Sequence, residues 1–246
     1  MKKHFAVTLL SLGSFSFTFG QTAMYQSTRD RINFSGLSVP TNGGSVLYGF
    51  DGNPGKLLGT VYLDSVWQAG FVRFYGKIAP KTDSLAGVPI RLNLQQQEVE
   101  VRSNDRSVKV AKAPMIRYFL VNNNAGGVSE FINVREFRGE ADNLPGFFEV
   151  IANGPVQLLR HHFITVKKGN YNPALNVGSK DDELIKKAAW YVVKEKKAGK
   201  FAPGKKAILD LMADKQPQVE AFLKEKKPDL KSDSGLASVF AYYATL

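Results

Sequence analysis

The sequence predicts an α+β fold, in which a mostly antiparallel β region is followed by two or three short C-terminal helices packed on the sheet. Short alternating segments separated by turn residues run through residues 58–121, Asn153-Gly154 is a strong hairpin signal, and the C-terminal part repeats apolar residues at helical spacing. The strands fit a meander, a sandwich or a partly open barrel. The prediction divides the 246 residues into a signal peptide (1–20), a weakly ordered N-terminal segment with a possible first strand (21–57), an antiparallel β region (58–203) and a C-terminal helical segment (204–246).

The N-terminus has the pattern of an export signal. Lys2 and Lys3 precede a short apolar run at residues 5–12, and the small residue Gly20 offers a cleavage position, with Ala23 as the alternative. The apolar run is shorter than the roughly 20 residues that a membrane-spanning helix needs. We therefore expect an exported, periplasmic or outer-surface protein that is soluble or peripheral, with no membrane span.

The amino-acid composition excludes several kinds of site and favours certain partners. The chain contains no cysteine, which excludes disulfides, thiolate metal sites, a cysteine nucleophile and a lipidated N-terminal cysteine. The formal net charge is +11, and removal of Lys2 and Lys3 with the signal leaves +9. Such a basic balance favours acidic partners, namely lipopolysaccharide, other anionic glycans or lipid surfaces, although it is also typical of a solvated basic surface. Export makes nucleic acid an unexpected partner.

The sequence predicts roughly nine to eleven strands, among them the possible first strand at residues 45–50. Its clearest hairpin spans residues 97–112. A four-residue turn at 103–106 would pair Glu100 with Lys109 on one face and would place four valines on the buried face. These valines are Val99, Val101, Val108 and Val110.

Residues 184–197 fit both a helix and a strand. Their Ala, Lys and Glu content favours a helix, whereas Trp190-Tyr191-Val192-Val193 favours a strand; we predict a strand from about Ala189 with a turn at 196–199. Helices are expected at 205–213, from Pro217 to the residue before Pro228, and after a cap at Ser232 or Ser234. The last helix carries the apolar stripe Leu236, Val239, Phe240 and Tyr243.

The sequence offers no catalytic, metal-binding or cofactor-binding residue to nominate. His161 and His162 are adjacent, so in a strand they point to opposite faces, and we expect a surface or strand-end feature. No serine-hydrolase, P-loop or dinucleotide motif is present. Glu98 and Glu100 share a strand face, where a solvated surface is the expected role. Two carboxylates from distant segments could form a catalytic pair. The protein is an enzyme only if it is the cell-envelope hydrolase named below as an alternative.

The candidate ligand-binding residues surround a turn-rich segment at 171–178, between Lys167-Lys168 and Lys180. In one interpretation this segment lines an edge that binds an anionic glycan or lipid. In the other it is a structural connection whose asparagine side chains bond their own backbone. The candidates are Lys167, Lys168, Tyr171, Asn172 and Lys180.

Several segments resemble a family of exported Gram-negative bacterial proteins that has no assigned activity. They are Trp67 with Gly70-Phe71-Val72, Ile90-Arg91-Leu92-Asn93-Leu94, Phe147-Phe148-Glu149-Val150, Tyr171-Asn172-Pro173-Ala174-Leu175-Asn176-Val177-Gly178, Asp214-Lys215 with Val219-Glu220 and Phe222-Leu223-Lys224-Glu225, and Tyr242-Tyr243. The resemblance implies export and strands followed by helices. It implies no catalytic residue.

These observations favour a non-enzymatic cell-envelope protein that binds a protein partner or an anionic envelope ligand. The alternatives are a cell-envelope hydrolase that uses a carboxylate pair and a structural or stress-related periplasmic component.

Overall fold

A computed structural model describes residues 55–123, 126–172 and 174–246. The predicted signal peptide and the possible strand at residues 45–50 lie outside the described residues.

The described strands form one twelve-stranded sheet, and 44% of the chain is strand. Along the sheet the order is β5-β4-β3-β2-β6-β7-β9-β10-β11-β12-β8, and β1 pairs with β11. Pairing is antiparallel except at the two-residue strands β1 and β8. The strands are β1 Leu57–Leu58, β2 Gln68–Phe74, β3 Ser84–Asn93, β4 Glu98–Arg102, β5 Val108–Lys112, β6 Ile116–Asn122, β7 Val128–Asn133, β8 Arg138–Gly139, β9 Phe147–Ala152, β10 Gln157–Lys167, β11 Asp182–Lys194 and β12 Lys197–Phe201.

Three α-helices follow the strands, so the predicted α+β class is confirmed. They are α1 Lys205–Leu211, α2 Gln216–Lys226 and α3 Asp233–Tyr243. Pro217 lies in the first turn of α2, and Lys227 ends that helix in a left-handed conformation before Pro228. Ser232 caps α3, because its Oγ accepts the N–H of Gly235 at 3.1 Å. All four residues of the predicted α3 stripe are buried.

The buried side chains form three clusters. The first lies on β2–β6 and extends to Phe131 and Phe147, and the second is enclosed by the three helices. On β10, Leu158 belongs to the second cluster and Ile164 packs against the first, so both clusters share this strand. The third cluster lies under the segment between β7 and β9 and includes Phe148.

The β4–β5 register differs by one residue from the prediction. Glu100 pairs with Val110, and Val101 pairs with Lys109. The connection is longer than four residues, because the N–H of Ser103 bonds the carbonyl of Ser107 at 2.8 Å. Arg106 takes a left-handed conformation with φ of 65° to close this loop.

A one-residue shift exchanges the two faces of a strand. Val99 and Val101 are buried as predicted, at 0% and 8% exposure. Val108 and Val110 are 46% and 53% exposed, so the prediction that all four valines share a buried face is wrong.

Residues 182–194 form a single strand, which confirms the strand interpretation but starts it seven residues earlier than Ala189. The turn lies at Glu195 and Lys196, with φ of 52° and 62°, and not at 196–199. Two consecutive left-handed residues form this tight turn without the usual Asn-Gly signal. Lys197–Phe201 is therefore strand β12.

The first described segment connects two distant parts of the sheet. Leu57 and Leu58 pair with β11, while Leu63 N–H bonds Leu92 O at 2.9 Å and Leu94 N–H bonds Val61 O at 2.8 Å. Residues 57–63 therefore join β11 to the end of β3.

Candidate ligand-binding site

The predicted candidates lie together at the end of β10 and in the connection that leads to β11. Lys168 Nζ is 2.6 Å from an oxygen of Asp182, and Lys167 Nζ is 3.6 Å from Glu183. Asp182 has a pKa below its usual value, mainly because it accepts the Lys168 hydrogen bond. Both lysines therefore have a carboxylate partner on the neighbouring strand.

The other three candidates form the body of this connection. Lys180 Nζ lies 4.6 Å from the centre of the Tyr171 ring, and the Tyr171 hydroxyl donates to Asn176 at 3.0 Å. Asn172 Oδ1 accepts the N–H of Ala174 at 3.0 Å. The Asn172 amide thus bonds its own backbone, as the structural interpretation expects.

A second cationic surface lies at the other end of the sheet, on the outer face of β3, β4 and β5. We call it the arginine groove; its volume is about 810 Å³. It is lined by Trp67, Pro89, Arg91, Arg102, Ser103, Asn104, Arg106 and Val108.

Arg91 forms the fixed floor of the arginine groove. Its Nε donates to Glu100 at 2.8 Å, and its Nη2 donates to the Tyr62 hydroxyl at 2.8 Å. The Tyr62 hydroxyl in turn donates to Glu100 at 3.0 Å, and the guanidinium lies over the rings of Tyr62 and Trp67 at 3.7 Å and 4.3 Å. Burial and then the bond to Glu100 raise the pKa of Tyr62. The carboxylate of Glu100 is therefore paired with Arg91 within the sheet.

Arg102 and Arg106 form the exposed side of the arginine groove. The Arg102 guanidinium lies 5.2 Å from the Trp67 ring. Within the described part of the chain, neither arginine has a carboxylate partner, and no carboxylate lines this groove. The groove therefore presents two unneutralised guanidinium groups beside an indole.

The sequence prediction did not nominate these arginines. Trp67, Arg91 and Arg102 come from three separate segments, and the antiparallel pairing of Arg91 with Glu100 brings them together. The signal in the sequence was the alternation of apolar and polar residues at 88–94 and 98–102. It places Arg91, Glu100 and Arg102 on the face opposite the buried apolar side chains.

A third polar cluster separates the first two buried clusters. We call it the Glu149 cluster: Glu149, Arg160, His162 and Asp233. One oxygen of Glu149 lies 2.7 Å from both Arg160 Nη2 and His162 Nε2, and Arg160 also bonds Asp233 at the start of α3. Burial alone would raise the pKa of Glu149, but the His162 hydrogen bond and the Arg160 charge together lower it.

The expectation that His161 and His162 are a surface or strand-end feature is wrong. They lie within β10, His161 is only 4% exposed, and its Nε2 is 2.8 Å from the carbonyl oxygen of Pro145. His162 points to the opposite face, toward Glu149. The strand positions were misjudged because β10 is eleven residues long and continues through this polar stretch.

On two surfaces that the structure describes, the carboxylates lie beside cationic side chains. Glu100 is held by Arg91 and Tyr62. Glu140 and Glu195 line an open depression beside β12, but Lys194 and Lys197 line it too, and Glu140 accepts the backbone N–H of Lys200 at 2.9 Å.

Among the described residues, no group of three or more His, Asp and Glu side chains is placed to hold a metal ion. No helix in the described ranges is both long and apolar enough to cross a membrane. Comparison of the chain with models of protein families, with curated proteins and with solved structures finds no match.

Proposed function

We propose that this protein is a non-enzymatic, exported cell-envelope protein that binds an anionic envelope ligand in the arginine groove. One observation supports the assignment of the site. Arg102 and Arg106 line the same groove and have no carboxylate partner among the described residues. The N-terminal sequence pattern supports export.

The groove has the chemistry to bind phosphate or carboxylate groups. A guanidinium donates a planar fork of hydrogen bonds that matches either anion, and Arg binds both more specifically than Lys does. Trp67 adds an apolar ring against which a sugar or acyl carbon can pack. Because Arg91 and Tyr62 hold Glu100, this carboxylate does not compete for the two exposed arginines.

The test uses Trp67 as the reporter and purified lipopolysaccharide as the probe. The chain has two tryptophans, so Trp190→Phe leaves Trp67 as the single emitter. In this background we expect lipopolysaccharide to change the emission in a salt-dependent manner, because exposed charge pairs are screened by ions. Arg102→Gln with Arg106→Gln should weaken binding by at least about tenfold, since two charge-assisted contacts are lost.

The matched control is Lys206→Gln with Lys231→Gln. It removes the same charge from two exposed positions outside the groove. If this control weakens binding as much as the arginine variant does, net charge rather than the groove holds the ligand. Unchanged binding by the arginine variant would reject the groove as the site.

A further inference from the structure

An exposed apolar surface surrounds the connection between β10 and β11. Leu175 and Val177 of this connection are 69% and 55% exposed. Leu57, Leu58 and Val166 beside it are 55%, 46% and 46% exposed. Leu57 and Leu58 pair with Asp182 and Glu183 at the start of β11, and as consecutive strand residues they point to opposite faces. We call the loop that carries Leu175 and Val177 the hairpin tip.

Hydrogen bonds within the connection hold the hairpin tip in shape. The N–H of Asn172 bonds the carbonyl of Val177 at 2.8 Å, and the Tyr171 hydroxyl bonds Asn176 at 3.0 Å. At the base of the connection, Ser179 N–H bonds the Asn170 side chain at 3.0 Å. Leu175 and Val177 are thus exposed on a hydrogen-bonded loop.

Lysines surround these apolar side chains and outnumber the carboxylates. Three acidic groups are already engaged: Asp181 accepts the backbone N–H of Lys56, and Asp182 and Glu183 contact Lys168 and Lys167. In the described part of the chain, Lys180 has an aromatic partner but no carboxylate. The exposed lysines beside the tip are Lys56, Lys167, Lys168 and Lys180.

We propose that the hairpin tip docks on the surface of an anionic phospholipid bilayer. Leu175 and Val177 would enter the boundary between headgroups and acyl chains, and the lysines would lie at the level of the lipid phosphates. Apolar burial and attraction to anionic lipid together support this type of reversible binding. A bilayer fits the hairpin tip better than an apolar protein groove does. Its acyl region can take up the apolar side chains while its anionic headgroups contact the surrounding lysines.

The test measures co-sedimentation of the chain with vesicles. We expect binding to vesicles of phosphatidylcholine mixed with phosphatidylglycerol, and much weaker binding to phosphatidylcholine alone. Leu175→Ser with Val177→Ser should lower the partition coefficient at least about tenfold, because two apolar side chains no longer leave water. Lys167→Gln, Lys168→Gln and Lys180→Gln together should remove most of the preference for the anionic vesicles.

The matched control is Met115→Ser with Val128→Ser, two residues that are 56% and 62% exposed elsewhere in the protein. This control should keep full vesicle binding. The variant at Arg102 and Arg106 should also bind vesicles normally, so the bilayer proposal and the arginine groove can fail independently. A near-ultraviolet circular dichroism spectrum identifies any variant that misfolds.

A second measurement does not depend on loss of binding. Leu175→Trp adds an emitter at the apex, which should shift to the blue when anionic vesicles are added, because its ring leaves water. Full binding by the Leu175→Ser and Val177→Ser variant would overturn the proposal. An unshifted Leu175→Trp emission on vesicle-bound protein would overturn it as well.

Discussion

His161 is enclosed on the sheet face that carries the third buried cluster. Its ring centre lies 5.7 Å from that of Phe148, 6.0 Å from that of Phe163 and 6.5 Å from that of Tyr191. Burial lowers the pKa of His161, because the charged imidazolium would lose its water. The Pro145 carbonyl opposes this shift, and the neighbouring His162 adds to it. Burial of His161 therefore favours the neutral imidazole over the imidazolium.

We predict that His161 makes folding stability depend on pH near neutrality. The unfolded chain binds a proton at this histidine more readily than the folded protein does. Stability should therefore be fully present above about pH 6.5 and should decrease as the pH falls below it toward the lower folded pKa. Urea unfolding at a series of pH values measures this, and His161→Gln should flatten that part of the profile. An unchanged profile would place the titration on another group.

The valines of β4 and β5 give a second prediction. Val101→Asp should destabilise the fold by about 2 kcal/mol or more, because a carboxylate would replace a buried side chain. Val110→Asp, the same substitution at a 53% exposed position on the paired strand, should change the free energy of unfolding by less than about 0.5 kcal/mol. Urea midpoints distinguish them. If both variants lost the same free energy of unfolding, Val110 would be buried as Val101 is, and the register predicted from the sequence would be correct.

Sequence alternation identified this hairpin but could not fix its register. A loop of four residues and a loop of five residues both suit the segment after Arg102, and they place opposite faces of β5 inward. The five-residue loop requires a left-handed residue, which is usually Gly or Asn, and here it is Arg106. The local sequence therefore gave no sign of it.

At the scale of the elements, the Glu149 cluster connects β9 and β10 to the start of α3. Glu149→Gln should cost about 2–3 kcal/mol, because the half-buried Arg160 and His162 would lose their shared carboxylate. Asp233→Asn should cost less than about 1 kcal/mol, because the Asp233 side chain is 48% exposed and its ion pair is screened. Urea unfolding of both variants gives the comparison. A larger loss for Asp233→Asn would mean that the α3 contact dominates the cluster.

The elements differed in how well the sequence predicted them. The helices were identified correctly because each has its own signals: Pro217 begins α2, Ser232 caps α3, and the α3 stripe is buried. Strand β10 runs through His161 and His162, which were expected at the surface or at a strand end, and continues to Lys167. Its polar residues Arg160 and His162 resemble a strand end, because the Glu149 cluster lies between two buried clusters on that face.

At the scale of the whole molecule, the first and second buried clusters share continuous strands. Phe147 of β9 belongs to the first cluster, while Ile151 of the same strand packs against the second. If either cluster came apart, the strands that it shares with the other cluster would lose part of their packing.

We predict that residues 55–246 unfold in a single cooperative transition. Trp67 reports on the arginine groove and Trp190 packs against the second cluster, so the variants Trp190→Phe and Trp67→Phe observe opposite parts of the sheet. Once corrected for the stability change of each variant, the two fluorescence transitions in urea should coincide with the circular dichroism transition. If fluorescence and circular dichroism gave different urea midpoints for the same variant, residues 55–246 would not unfold in one cooperative transition.

The two candidate surfaces also differed in how far the sequence could predict them. Lys167, Lys168 and Lys180 are close in the chain, so their proximity follows from the hairpin itself. The arginine groove depends on the pairing of β2, β3 and β4, and the sequence alone does not give the order of those strands in space. The carboxylates that pair with Lys167 and Lys168 were missed because β11 was predicted to start at about Ala189, whereas it starts at Asp182.

The fastening of residues 57–63 to both β3 and β11 has a consequence for biosynthesis. Lys56 bonds Asp181, a partner 125 residues further along the chain, so this contact cannot form until most of the polypeptide has emerged. Contacts between such distant residues form late, because a long loop must first be closed. Under the proposed export, the pairing of β1 with β11 would therefore be among the last contacts of the sheet to form.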